Sequence, residues 1–233
     1  MTDPQPHTTP ATPGALPAPA TSAALATPAT SGALPAPAAS ATLPAPATRR
    51  SAATDLALIA SFAALVAVCA VLPAIPVGGP VPITLQTFAV ALTGLVLGPR
   101  RGFLALLLYV VVGLVGLPVL SGAVGGLGVL AGPSAGYLLS FPLAAAIAGA
   151  GSLLARRVAG RWQVPALFAA ATVASLLVVH PLGIAVMGWR LGLSPTEALT
   201  AGAVFLPGDV VKNVLAAVVA AAVLRAYPEL RRR

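Results

Sequence analysis

With 233 residues, 58% of them hydrophobic and only 8% charged, the chain lacks the charged shell that a soluble domain needs. Its mean hydropathy is +0.96, and long apolar runs recur along it; runs of that kind bury themselves in lipid. The formal charge of +8 does not point to a nucleic-acid partner, because the arginines stand in short clusters between the apolar runs, where a positive-inside topology puts them.

The chain opens on a low-complexity stretch of Ala, Pro, Thr and Ser, in which Leu16-Pro17-Ala18-Pro19-Ala20 recurs at 34–38 and 43–47. Frequent proline blocks helix and ladder alike, so residues 1–54 are expected to be a disordered or polyproline II tail. No basic segment precedes an apolar core there, so the stretch does not read as a signal peptide.

Six apolar segments follow, at about 55–72, 83–98, 102–117, 136–155, 164–186 and 206–225, and the second and third are short for a crossing. The expectation is an all-α membrane protein with six transmembrane helices over residues 55–226, ended by a short basic tail, 227–233. Orientation follows from the arginines. If Arg49-Arg50 is cytoplasmic, alternation brings Arg100-Arg101, the Arg156-Arg157-Arg161 cluster and the C-terminal arginines to the same side. Only Arg190 and Lys212 among the thirteen basic residues fall elsewhere. Both termini are then cytoplasmic.

Three outer connections result: 73–82, rich in proline; 118–135, rich in glycine; and 187–205. The last contains Ser194-Pro195-Thr196-Glu197, the pattern of a capping box that starts a short outer helix. Loops carry binding function more often than tight turns do, which directs attention to the outer side.

In the first helix small residues stand four apart, as Ala60 with Ala64 and Ala63 with Ala67, a spacing that lets helix backbones approach closely. Cys69, the lone cysteine, lies in the same run and reads as a small buried hydrophobe. His180, before Pro181, reads as a hydrogen-bonded core histidine, and Trp162, Trp189 and Tyr227 as interfacial anchors.

Ionisable residues inside a span are costly and functional by default. The sixth segment holds two, Asp209 and Lys212, three apart and therefore on one helix face, with Asn213 beside them. Pro207-Gly208 marks a helix start, which leaves Asp209 near the positive end of the helix dipole. Gln86 and Thr87 at the outer start of the second helix, and Tyr137 at that of the fourth, come to the same depth. Together these residues outline one outward-facing polar pocket with apolar walls. No phosphate-binding loop, metal-ligand cluster or nucleophile with a base is present in the sequence, so no catalysis and no cofactor are expected.

The run Pro80-Val81-Pro82-Ile83-Thr84-Leu85-Gln86-Thr87-Phe88, then Leu97-Gly98-Pro99-Arg100-Arg101-Gly102, resembles the BioY family. So do Tyr109 with Gly113-Leu114-Val115-Gly116-Leu117-Pro118-Val119, Gly125-Gly126-Leu127-Gly128, Gly132-Pro133-Ser134-Ala135-Gly136-Tyr137, and Phe205-Leu206-Pro207-Gly208-Asp209-Val210-Val211-Lys212. The order and spacing span residues 55 to about 225 and leave out the N-terminal tail.

The resemblance implies a six-helix bundle of the kind found in S components of energy-coupling-factor (ECF) transporters, which captures biotin from outside the cell membrane. It implies docking through an Ala-x-x-x-Ala face of the first helix, here Ala60 and Ala64 or alternatively Ala63 and Ala67. The partner would be a transmembrane coupling subunit driven by ABC-type ATPase subunits, which alone would hydrolyse ATP. Asp209 and Lys212 correspond to the family's acidic and basic residues on helix six, Gly126 and Gly128 would let backbone approach the rings, and residues 73–82 would form a lid. Two other readings stay open on the residues: an S component for another vitamin, and a membrane scaffold in which Asp209 and Lys212 form a structural pair.

Overall fold

The computed structural model describes residues 47–74, 81–158 and 160–231, and among these every regular element is helical. Most of the tail expected over 1–54 lies outside the described residues. Its last part is corrected, because helix α1 runs Ala47–Val71 and so begins ahead of Asp55. No proline or glycine stands between Pro46 and Pro73, so nothing in the sequence breaks the helix over that stretch.

α2 (Gln86–Leu97) and α3 (Pro99–Val115) are joined by Gly98 alone. Gly98 has φ +80°, a backbone conformation open to glycine, and Pro99 opens the next helix at its first position. α2 is the core helix: every residue from Ala89 to Leu97 is buried. It lies against α4 (Ala135–Ala155), and the two meet through small residues. A Cβ on Gly94 would strike the carbonyl of Ala145, and one on Gly149 would strike Gly98 and Pro99. Without an apolar driving force between helices in lipid, such close backbone approach supplies the packing.

α5 (Gln163–Ala174) continues through one π-helical turn, Ser175–Val179, into α6 (His180–Leu191). Pro181 explains the turn, since it lacks the N–H that α-helical bonding requires and its ring crowds the preceding turn. α7 (Pro195–Ala203) is the short helix foreseen at the capping box: the Glu197 amide donates to Ser194 Oγ at 3.4 Å, and Ser194 N–H donates back to Glu197 Oε2 at 2.9 Å. α8 (Leu206–Ala226) packs an alanine face, Ala216, Ala217, Ala220 and Ala221, against α2 and α5.

Among the described residues four helical stretches are long and apolar enough to cross a membrane: Ala52–Val71, Ala135–Ala155, Gly160–Leu191 and Leu206–Ala226. At 1.5 Å per residue α2 spans only about 18 Å and α3 about 26 Å. The helices also sort the charges. At one end Arg101 pairs with Asp55 at 2.7 Å, joining the starts of α3 and α1. At the same end Arg156 donates to the carbonyls of Leu95 and Val96 at the close of α2, and of Leu230 just beyond α8. The expected basic tail is thus partly folded: Pro228–Arg231 forms a 3-10 turn held by Arg156, and residues 232–233 lie outside the described region.

Candidate functional site

At the opposite end, the first turns of α2, α4 and α8 surround a cavity of about 270 Å³. α8 starts at Leu206 with Pro207 in its first turn, so Asp209 sits beside the helix's free N–H groups, where negative charge is favoured. Asp209 and Lys212 are both buried. Lys212 Nζ donates to Asp209 Oδ1 at 3.0 Å and to Thr87 Oγ1 at 3.1 Å, and the Thr87 hydroxyl donates to Asp209 Oδ1 at 2.9 Å. One hydroxyl therefore accepts from the cation and donates to the anion. An ammonium has three donors, so Lys212 keeps one N–H for a ligand.

Gln86 is fixed at both ends of its amide. The Thr84 hydroxyl donates to Oε1 at 3.0 Å, and Nε2 donates to Tyr109 Oη at 2.7 Å. Tyr109 is buried on α3 and does not line the cavity; it orients Gln86, which does. Tyr137 leans edge-on against Phe205, with ring centroids 5.7 Å apart, and its hydroxyl is buried with no partner among the described residues. A buried hydroxyl without a hydrogen bond is costly unless a ligand or water supplies one. Gly183 makes room for this ring, since a Cβ there would collide with Tyr137.

The structure thus brings together Asp209, Lys212, Gln86, Thr87 and Tyr137 on one cavity wall. Three other expected contacts do not line this cavity. Asn213 turns away, its Nδ2 reaching Thr172 Oγ1 on α5 at 3.5 Å. Gly126 and Gly128 do not line the cavity. Gly126 is needed for the loop itself, with φ +94° and its N–H bonded to Gly113 O at 2.8 Å, while Gly128 is exposed with open space where a Cβ would stand.

The glycine loop instead contributes Leu120, Ser121, Gly122 and Val124. A bridge between Leu120 and Val124 pinches it, with Ala123 forced to φ +57°. Leu120 is buried against Gly113. Farther along, Arg190 donates to Leu130 O at 2.9 Å and tethers the loop to the end of α6. Ala74, Val81 and Pro82 line the mouth, whereas residues 75–80 of the expected lid lie outside the described residues.

Sequence reasoning missed Phe141, Phe205 and the Leu120–Val124 pinch, because apolar lining residues look like core. His180 is hydrogen-bonded as expected, its Nδ1 3.1 Å from Ser175 O and 3.2 Å from Ser175 Oγ. Its Nε2, however, stands 3.5 Å from Asp209 Oδ2. On α1, Ala60 and Ala64 are exposed, while Ala63 is buried and Ala67 packs on the core.

The BioY family matches residues 40–229. A protein of Rhizobium etli described as biotin transporter BioY is 40% identical over 182 residues, covering 77% of this chain and 97% of its own length. One of Rhodobacter capsulatus with the same description is 41% identical over 188 residues, covering 75% and 95%. Among solved structures, the S component for biotin from an ECF-type ABC transporter superposes with a TM-score of 0.68. It is 26% identical, and the match covers 76% of this chain and 94% of that one.

Proposed function

The chain belongs to the BioY family, and from that premise we propose that it captures biotin as the substrate-binding S component of an ECF-type transporter. It is a transport protein of the membrane rather than an enzyme. The observation that carries the assignment of the site is the buried Asp209–Lys212–Thr87 cluster opening onto a cavity with apolar walls. The cavity's volume is just below the roughly 300 Å³ at which small-ligand pockets begin, a size for a vitamin rather than a larger ligand.

Biotin offers two ureido N–H donors, one carbonyl, an apolar bicycle and a carboxylate. Asp209 accepts from the ureido N–H groups, a charge-assisted bond in a site shielded from water. Lys212 balances Asp209 and turns its remaining N–H to the ligand, and Tyr137 supplies the hydroxyl that the protein leaves unpartnered. Gln86, set by Tyr109 and Thr84, orients the ring system, which rests on Phe141, Phe205 and Leu120.

In this reading all six long helical segments belong to the membrane domain, with α2 sheathed by its neighbours. The arginine-bearing end and both termini face the cytoplasm, and the cavity opens outside the cell membrane. The coupling subunit docks on the Ala60–Ala64 face, which α1 leaves exposed; the Ala63–Ala67 register is spent on internal packing. ATP is hydrolysed by the partner ATPases alone.

Labelled-biotin binding to the purified protein in detergent, compared with Asp209→Asn, tests the assignment. Asp209→Asn is expected to weaken binding about a hundredfold while the protein elutes and melts as wild type, since bonds to charged groups are worth about 1.5–3 kcal/mol each. Binding that survives the substitution removes Asp209 from the site, and a folded wild type that binds no biotin removes the ligand.

A further inference from the structure

We infer that His180 is a positioning residue of the binding site, holding the Asp209 carboxylate in the orientation that receives the ligand. This rests on the biotin reading above and deepens it. The two oxygens of Asp209 are treated differently. Oδ1 takes both hydrogen bonds from Thr87 and Lys212, whereas Oδ2 faces the His180 Nε2 at 3.5 Å. A carboxylate gripped at one oxygen can still swing the other about its Cβ–Cγ bond. The imidazole is the group placed to stop that swing.

The imidazole is itself held in place. The π-helical turn lets the His180 N–H bond Ser175 O five residues back, which sets the Ser175 carbonyl and hydroxyl oxygens 3.1 and 3.2 Å from Nδ1. With the hydroxyl donating to Nδ1, the ring proton is on Nε2, the nitrogen that faces Asp209. His180 is 5% exposed, and that Nε2 makes no hydrogen bond among the described residues. A buried polar atom aimed at a ligand-binding carboxylate, with the contact half an ångström too long, is a hydrogen bond waiting to close. A ligand that draws Asp209 toward its donors completes it.

The test is labelled-biotin affinity of wild type, His180→Gln, His180→Asn and His180→Leu. Gln presents an amide N–H near the position of Nε2 and is expected to keep affinity within about threefold of wild type. Leu, of similar bulk without the donor, is expected to lose about tenfold or more, and Asn, whose shorter amide does not reach Asp209, is expected to fall with it. A folded Leu variant with wild-type affinity overturns the inference, as does a Gln variant as weak as Leu. If the Leu variant does not fold, an Asn variant that binds as tightly as Gln overturns it. A wild type that binds no biotin overturns the biotin reading and the inference together.

Discussion

The two ends of the bundle handle buried charge in opposite ways. At the arginine end Arg156 spreads its guanidinium over three backbone carbonyls, from Leu95, Val96 and Leu230, and binds the ends of separate helices into one unit. At the cavity end Lys212 and Asp209 are met by short side chains, and donors are left over: an N–H of Lys212 and the hydroxyl of Tyr137. A charge that grips backbone carbonyls at the ends of several helices is structural. One that is bonded only in part, beside an open volume, is set up for a ligand. Removing charge at either end should therefore fail in different currencies, stability at one and affinity at the other.

Asp209→Asn sets the top of the scale in affinity. The largest expected effect on stability is that of Arg156→Leu, which strands the carbonyls that close α2. A loss of about 3 kcal/mol is expected, read as a lower melting temperature in detergent, while the folded fraction binds biotin as wild type does. An affinity loss as large as that of Asp209→Asn would erase the distinction between the ends. Gly183→Ala is next. Its Cβ meets the Tyr137 ring and drives it toward the cavity, for an expected affinity loss of about tenfold at a stability cost of about 1–3 kcal/mol. Calorimetric titration alongside a melt would show whether the damage falls on the site first.

Tyr137→Phe is milder. The hydroxyl has no partner among the described residues, so stability should stay level or rise slightly, while biotin affinity drops by roughly threefold to tenfold. Unchanged affinity would take the hydroxyl out of the ligand's reach. The smallest effect belongs to Glu197, whose carboxyl is held below its ordinary value by hydrogen bonds from the Ser194 side chain and backbone. A depressed folded value means that the cap is in force above the unfolded carboxylate range and is lost as pH falls through the lower folded one. Amide exchange in α7 should quicken under acid, and Glu197→Gln should flatten that response.

The sequence marked the cavity end better than its walls. Asp209, Lys212, Gln86, Thr87 and Tyr137 stood out because polar side chains inside apolar runs are expensive, and all five converge. Phe141 and Leu120 carry no such mark, since an apolar side chain facing a ligand has the same preference as one facing the core. Gly126 and Gly128 misled for a related reason: a glycine that serves its own loop's φ angle looks like one that admits a ligand. Arg156 was legible as a member of a basic cluster between apolar runs, but its grip on carbonyls sixty residues away depends on which helices become neighbours. His180 was read correctly at one nitrogen. The other was out of reach, because the π-helical turn shifts the phase on which helical spacing arguments depend.

The shortness of α2 sets the depth of the binding site. Helices that face lipid tilt or stretch the bilayer when its thickness changes, and α1, α4, the α5–α6 span and α8 are long enough to do so. α2 is not: it is only twelve residues long and enclosed by the rest, so its first turn, with Gln86 and Thr87, takes its height from protein neighbours and not from headgroups. The depth of the cavity is thus a property of the bundle, expected to hold in thin and thick membranes alike.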